Sequence, residues 1–577
     1  MKKKYGIFSQ SAGTPDGAYI LSTPSERADT ASRLIENASL AKQKTSQYWK
    51  KMKRYYDGLH DINYMTDSFL ADMNIPWTPA QSNDGYVHVE SQVNAELPGF
   101  EFSPFGDYSS DAAKVREDMV SRVLDVNMAN SLNLTAERRL GIYGSSVWKV
   151  SWGDIDSDYG RKEDVLLGIP YPEQIFTDPS ADTVDGCEYI AYVYPMHTQK
   201  ARRVFAEDIG KRNGRFEEYL SNNGTGIVFE DCYDDENTVT VTEFWFRQPC
   251  DAHGNSGIRY KAGDIALSVL INGKEIRYIP KYWQNTECDM FPFVIANKVP
   301  NDGSIWGKSE LEMLIPLIDA SDRELTFAQL NSAFCSNDIV LCEENAFSDG
   351  KVPDNSPGAV WKLRPGMMGK VQRLGNMGAT ASAQFNSYSV YQSMMEQTAG
   401  NFDVNQGKEP SKVTTASGIA LMNERSQSRL SRKNAGRSEG FKRLYALIDK
   451  TCTEFYEDGR KILCKGKSFD YEFSKIRITD GINESVPNVD VKIHIGDGIA
   501  NSKAFTVSAL NSLIGMNINE DNYMFVKAYV DLIGIPERNE ICKYLEDKYG
   551  DSYELWYENL KGDNYEGKVE EILHQGK

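Results

Sequence analysis

Between Ser25 and Tyr56 the apolar side chains Leu34, Ala38, Ala41, Tyr48, Met52 and Tyr55 return at spacings of three, four and seven. That period predicts a long amphipathic helix, with Glu26 in its first turn and Gly58 as its stop. Ahead of it, 1–24 is broken by Gly13, Pro15, Gly17 and Pro24 and predicts a flexible arm. Residues 75–110 are loop-like and proline-bearing, and Asp111–Asn130 predicts a second helix. The period then changes to two. Ser146–Trp152, Asp164–Ile169, Glu188–Tyr194, Val239–Arg247, Ile265–Ile271 and Lys274–Ile279 alternate as strands, with an Asn272-Gly273 turn between the last two. A β-rich block therefore spans about 145–300.

After Gly307 the helical period returns. Ser309–Phe334 carries Leu311, Leu314, Ile315, Ile318, Leu325 and Leu330 on its apolar side. A compact insert follows at 338–378, with strands at Ile339–Cys342, Val360–Leu363 and Lys370–Leu374 around a Gly/Pro-rich loop. Thr380–Ala399 predicts a polar helix with Glu396 as its single charge, and a long helix runs from Ala416 to about Glu457. Strands at Ser468–Phe473 and Val489–Ile495 precede a helical tail, and no internal repeat is visible. The fold class expected is α+β, in several parts, as a chain of 577 residues requires.

Composition adds little until charge is counted. Hydrophobic residues make up 40% of the chain, enough for substantial cores, yet no run approaches the roughly 18 apolar residues of a membrane helix. Lys2, Lys3 and Lys4 are not followed by an apolar stretch, so no secretory signal is expected. The nine cysteines show no C-x-x-C or zinc-finger spacing and are expected as free thiols in a reducing cytoplasm. The net charge is −19. Proteins that grip DNA through its phosphates normally present basic surfaces, so this chain either avoids nucleic acid or meets it without gripping.

Three stretches invite a chemical reading. Gly303–Ser309 (GSIWGKS) approaches a phosphate-binding P-loop, but three residues separate its glycines where the loop needs four. A helix entrance, with Ser309 and Glu312 as a capping box, accounts for it better. Asp154, Asp156 and Asp158 lack the Gly and Glu that a calcium loop places later, which makes a solvated hairpin tip the expectation and leaves adventitious cation binding open. Lys50, Lys51, Lys53 and Arg54 interleave with Tyr48, Trp49, Tyr55 and Tyr56. The mixture could stack single-stranded nucleic acid, but helical spacing predicts buried aromatics with solvated lysines around them. The six histidines are dispersed, and no carboxylate pair is singled out for acid–base work. No catalytic residue, metal site or cofactor is assigned.

Several segments, in order, resemble the portal family of tailed bacteriophages. Arg54–Asn63 (RYYDGLHDIN) is similar to the motif after that family's first long helix. Gly141–Trp152 (GIYGSSVWKVSW) and Gly168–Pro179 (GIPYPEQIFTDP) look like its wing strands. Gly303–Ala320 (GSIWGKSELEMLIPLIDA) resembles the entrance to its first stem helix, and Ala416–Tyr456, opening ASGIALMNERSQSRLSRK, its long helix. The resemblance covers roughly 30–460.

The resemblance implies a wing at 25–306, stem helices at 307–337 and 379–399, and a small α/β clip at 338–378. It further implies a tunnel loop at 400–415, a long helix with returning wing strands at 416–500, and a helical crown at 501–577. The implied assembly is a ring, commonly of twelve subunits, at one capsid vertex, assembled in the bacterial host cytoplasm and carried in the virion. Double-stranded DNA would pass through it during packaging and ejection. The partners implied are the terminase large subunit, which would hydrolyse ATP, then head–tail adaptor and tail proteins, with major capsid and scaffolding proteins around them; no membrane is involved. Lys408, Lys412, Thr414 and Thr415 of the tunnel loop are candidates to face DNA, the two lysines being equally readable as ordinary loop lysines. Lys351, Trp361, Lys362 and Arg364 are candidates for the clip surface. An acidic conduit suits this role, because tight phosphate binding would stall a sliding polyanion. Two alternatives stay open: a virion or scaffold protein with no DNA path, and a nucleotide-binding enzyme built on Gly303–Ser309.

Overall fold

The structure, a computed structural model, describes residues 23–60, 80–93, 97–103, 110–154, 163–211, 215–220, 237–249, 252–253, 259–286, 288–335, 339–344, 346–348, 361–374, 378–399, 416–457, 460–464, 467–470, 478–480, 483–485 and 490–494, with Tyr544 and Lys548. The chain divides into two units. One comprises 1–97 and 102–492; the other comprises 98–101 and 493–577, almost all of it outside the described residues. The expected arm at 1–24 and crown at 501–577 fall mainly outside them as well. The fold is mixed α+β.

The first helix, α1 (Pro24–Tyr56), begins at Thr23 rather than Ser25. Thr23 Oγ1 accepts the Glu26 N–H at 3.3 Å, and the Glu26 carboxylate accepts the Thr23 N–H at 3.1 Å, closing a capping box with Pro24 in the first turn. Ala28, Ala31, Leu34, Ile35 and Ala38 of α1 lie on a sheet face made by Phe176, Tyr189, Ala191, Val193, Phe244, Phe246, Ala266 and Leu270. One expected core position fails. Ala41 is exposed, and Lys42, one turn beyond Ala38, is buried in its place.

The sheet is antiparallel and five-stranded, in the spatial order β7 (Lys274–Ile279), β6 (Ile265–Ile271), β5 (Thr238–Arg247), β4 (Tyr189–His197) and β3 (Ile175–Thr177). Every residue of β6 is buried, so its sequence is apolar throughout instead of alternating. Asn272 and Gly273 both take positive φ (48° and 80°), as a two-residue hairpin turn with the sheet's own twist requires.

A three-stranded antiparallel sheet orders β8 (Phe293–Asn297), β1 (Ser145–Asp154) and β2 (Glu163–Gly168). The 40-residue α7 (Ala416–Phe455) crosses it, with Trp148 against Phe441 and Trp152 stacked on Phe455. Close approach depends on Gly436 and Gly440, where a Cβ would sit 2.4 Å from Asn297 O and 2.7 Å from Ala296 Cβ.

Two expectations fail between 75 and 145. The supposed loop contains α2 (Asp84–Gln92) and a strand at Gly99–Ser103. The helix expected over Asp111–Asn130 stops as α3 (Ser110–Val126), Met128 adopts φ 48°, and α4 (Ala129–Tyr143) follows. A methionine in the left-handed region carries no sequence signature, so periodicity predicts one long helix where two meet. The strand near 468 is Lys467–Asp470, hairpinned with Lys461–Cys464, and Asp490–His494 is a strand as expected.

Candidate functional site

The helical hairpin consists of α5 (Leu311–Cys335) and α6 (Gly378–Ala399), linked by the insert. Asn331 Nδ2 donates to Gln384 Oε1 at 2.9 Å near the insert, and Gln392 donates to Asp84 at 2.9 Å at the other end. Leu311, Leu314, Ile315 and Ile318 are buried, anchoring the root of α5 in the body.

Three segments remote in sequence meet at that root. Ser145 Oγ accepts the Gly307 N–H at 2.8 Å and donates to Asn297 Oδ1 at 2.8 Å. Ser309 Oγ donates to Gly141 O at 2.6 Å and accepts the Leu311 N–H at 3.2 Å. Gly144 ends α4 at φ 79°, where a Cβ would stand 2.3 Å from the Lys308 carbonyl carbon. From the other side Tyr55 donates to Asp319 at 2.7 Å, while His60 Nδ1 hydrogen-bonds Asp322, whose second oxygen accepts the Ser82 N–H at 2.9 Å. The rings of Tyr55 and His60 stack at 4.7 Å. Thus the YYDGLH, GIYGSS and GKSE…LIDAS stretches form one buried polar joint.

The capping box expected at Ser309 and Glu312 is not closed directly. The Ser309 N–H donates to the Tyr48 hydroxyl at 2.9 Å, and that hydroxyl is in turn bonded to Glu312. Burial, ahead of Glu312, pushes Tyr48 up to about 12, so it remains an O–H able to relay the bond. The same contacts bear on the P-loop likeness. The Ser304, Trp306, Gly307, Lys308 and Ser309 amides donate to Asn301 O, Ser304 Oγ, Ser145 Oγ, Val299 O and Tyr48 Oη. Amides spent within the fold cannot wrap a phosphate.

The basic–aromatic stretch resolves as its spacing predicts: Trp49, Met52 and Tyr55 are buried, while Lys50, Lys51 and Arg54 are exposed. Lys42 is the residue that pattern reading missed. Its ammonium donates to Pro172 O, Glu173 O and Ile175 O at 2.6, 3.0 and 2.6 Å, with the rings of Trp49, Phe176 and Trp306 about it. Burial lowers it to about 7. The only available signal was that Lys42 completes the turn after Leu34, Ile35 and Ala38.

In the insert, β9 (Ile339–Cys342) pairs antiparallel with β10 (Val371–Leu374). Of the strand expected at Val360–Leu363, the described residues 361–363 contribute one bridge, between Leu363 and Phe347. Trp361 is half-buried, its ring edge-on to Phe347 at 6.0 Å, while Lys362 and Arg364 are exposed; Lys351 lies outside the described residues. On α6 the exposed positions 385, 386, 389, 390, 393, 394, 397 and 398 form one uncharged stripe that includes Phe385, Val390 and Met394. Lys408, Lys412, Thr414 and Thr415 lie outside the described residues, as do Asp156 and Asp158. Among the described residues, no three His, Cys, Asp or Glu side chains gather as a metal site, and no helix is long and apolar enough to cross a membrane.

No protein-family model matches the sequence, and no curated protein matches it. Among solved structures, a chain in the virion of a native gene transfer agent (GTA) particle is similar at a TM-score of 0.36 and 9% identity, over 78% of this chain and 89% of that one. At that score the similarity assigns neither fold nor function.

Proposed function

We propose that this chain is the portal subunit of a tailed-phage-like capsid: a non-enzymatic building block of a homo-oligomeric ring, about twelve copies around a channel for double-stranded DNA. The supporting observation is the joint at the root of α5. The segments that carry the sequence resemblance are separated by some 80 to 250 residues, yet Gly141–Ser145, Tyr55–His60 and Gly307–Asp322 are bonded to one another there. A chance likeness of turns would have no reason to converge. In this role α5 and α6 are the stem, the insert is the clip that docks the terminase large subunit and later the head–tail adaptors, and 400–415 is the tunnel loop. ATP hydrolysis belongs to the terminase, and the subunit needs no cofactor. Capsid and scaffolding proteins surround the ring at its vertex.

Electron microscopy of the purified protein tests this, with a closed ring around a duplex-wide hole as the expected result. A compact closed dimer would overturn it. Nucleotide binding abolished by Lys308→Ala would instead favour the enzyme alternative, although five of the seven Gly303–Ser309 amides already donate within the fold.

A further inference from the structure

The three-stranded sheet ends at β2, whose outer side has no strand beside it among the described residues. Such a side presents a row of backbone donors and acceptors with which a strand of another molecule can pair. On β2 that row is taken by side chains. Asn127 accepts the Leu167 N–H on Oδ1 at 2.9 Å and donates from Nδ2 to Val165 O at 2.8 Å. The Asp164 carboxylate accepts the Val165 N–H at 2.9 Å, and Arg460 donates to Glu163 O at 2.9 Å. Just past the strand, Arg139 donates to Ile169 O. Alternate residues of a strand turn their N–H and C=O groups to the same side, so 163, 165, 167 and 169 belong to one edge. Asn127 and Arg460 are partly buried and Glu163 is exposed, which places this edge at the surface.

The backbone beside Asn127 is bent to suit. Its Nδ2 also donates to Val123 O at 2.9 Å, and α3 ends there because Met128 turns left-handed at φ 48°. Asn tolerates that conformation far better than Met. Yet Asn occupies 127, and the strained position falls to Met128, whose side chain is 75% exposed. Strain that exchanging two neighbours would relieve has its cause in the side chain that must stay in place.

We infer that Asn127 is an edge clasp: its carboxamide stands in for a neighbouring strand and closes β2 to strand addition by a second copy of this chain. A carboxamide offers in one group the donor and the acceptor that a strand residue offers from its backbone. Asp164, Arg460 and Arg139 extend the seal to either side of it. The clasp is independent of the portal reading and suits any subunit that must stop at a closed assembly. A strand contact between copies is head-to-tail, and one that does not close grows into filaments.

The test uses the full-length protein with Asn127→Leu, which keeps the shape of the side chain and loses both bonds, and Asn127→Ser, which is too short to reach β2. Hydrogen–deuterium exchange over 163–168 is expected to be roughly tenfold faster in both variants than in wild type. In sedimentation velocity the Leu variant should grow with concentration into open-ended, thioflavin-positive species, whereas wild type keeps discrete sizes. Adding Leu166→Lys, a charge on the edge strand, should restore wild-type association while exchange stays fast. A side chain that served stability alone would gain nothing from that lysine. Met128→Gly relieves the strain and is expected to keep both slow exchange and wild-type association. Unchanged exchange in the Leu variant overturns the inference, and so does fast exchange without new association. If the Leu variant does not fold, Asn127→Ser decides by the same two readings.

Discussion

Gly144 is where backbone conformation and close approach coincide. Its φ of 79° already disfavours a side chain, and a Cβ would meet the Lys308 carbonyl carbon at 2.3 Å and Ser309 N at 2.4 Å. Gly144→Ala is expected to cost at least about 2 kcal/mol in chemical denaturation. Gly303→Ala, also at positive φ but facing open space, should cost less. Arg116 and Asp449 pose a different problem, since both are buried and paired through two hydrogen bonds. Asp449→Asn leaves an uncompensated guanidinium and is expected to lose about 3–5 kcal/mol, whereas Arg116→Met with Asp449→Leu should recover most of it.

Lys42 makes a pH prediction. Because burial lowers it to about 7, the folded chain releases this proton above that value, while the unfolded chain keeps it to about 10.5. Between those limits the unfolded state binds more protons, so stability should rise with pH, by at most about 1.4 kcal/mol per unit. Below about 7 both states hold the proton and the contribution is flat. Urea denaturation of wild type and Lys42→Met at pH 6.5, 8 and 9.5 isolates the term, and parallel curves for the two proteins would refute it.

At the scale of elements, α5 carries Pro316 one and a half turns from its start. The ring removes one N–H from the ladder and crowds the preceding turn. Pro316→Ala is expected to raise the melting temperature, by an amount equivalent to up to about 3 kcal/mol. The uncharged stripe on α6 leads in the opposite direction. Phe385, Val390 and Met394 are about half exposed in the single chain, which suits an element that packs against another copy.

For the whole molecule, the stripe and the joint have separable consequences. Val390→Glu with Met394→Glu should leave circular dichroism and melting of the single chain nearly unchanged while reducing, in mass photometry, the fraction of the ring proposed above. Substitutions at the joint, such as Asp322→Ala, should lower both, because Asp322 is fully buried and holds His60 and the Ser82 amide.

What the sequence determined by itself was whatever local periodicity encodes: α1, the alternating strands, the Asn272-Gly273 turn, the hairpin helices, and the order of segments that carries the portal resemblance. Apolar side chains recur at 3.6 or 2 because one face of each element must leave water, and that requirement is written residue by residue. The break at Met128, the burial of Lys42 in place of Ala41, the relay through Tyr48 and the expenditure of the Gly303–Ser309 amides could be decided only by tertiary structure. The last three depend on partners that lie far along the chain. A lysine becomes a core residue when three carbonyls from 172–175 face it, and a near P-loop becomes a helix entrance when Ser145 and Tyr48 take its N–H groups. No periodicity encodes a hydrogen bond whose two ends are more than a hundred residues apart.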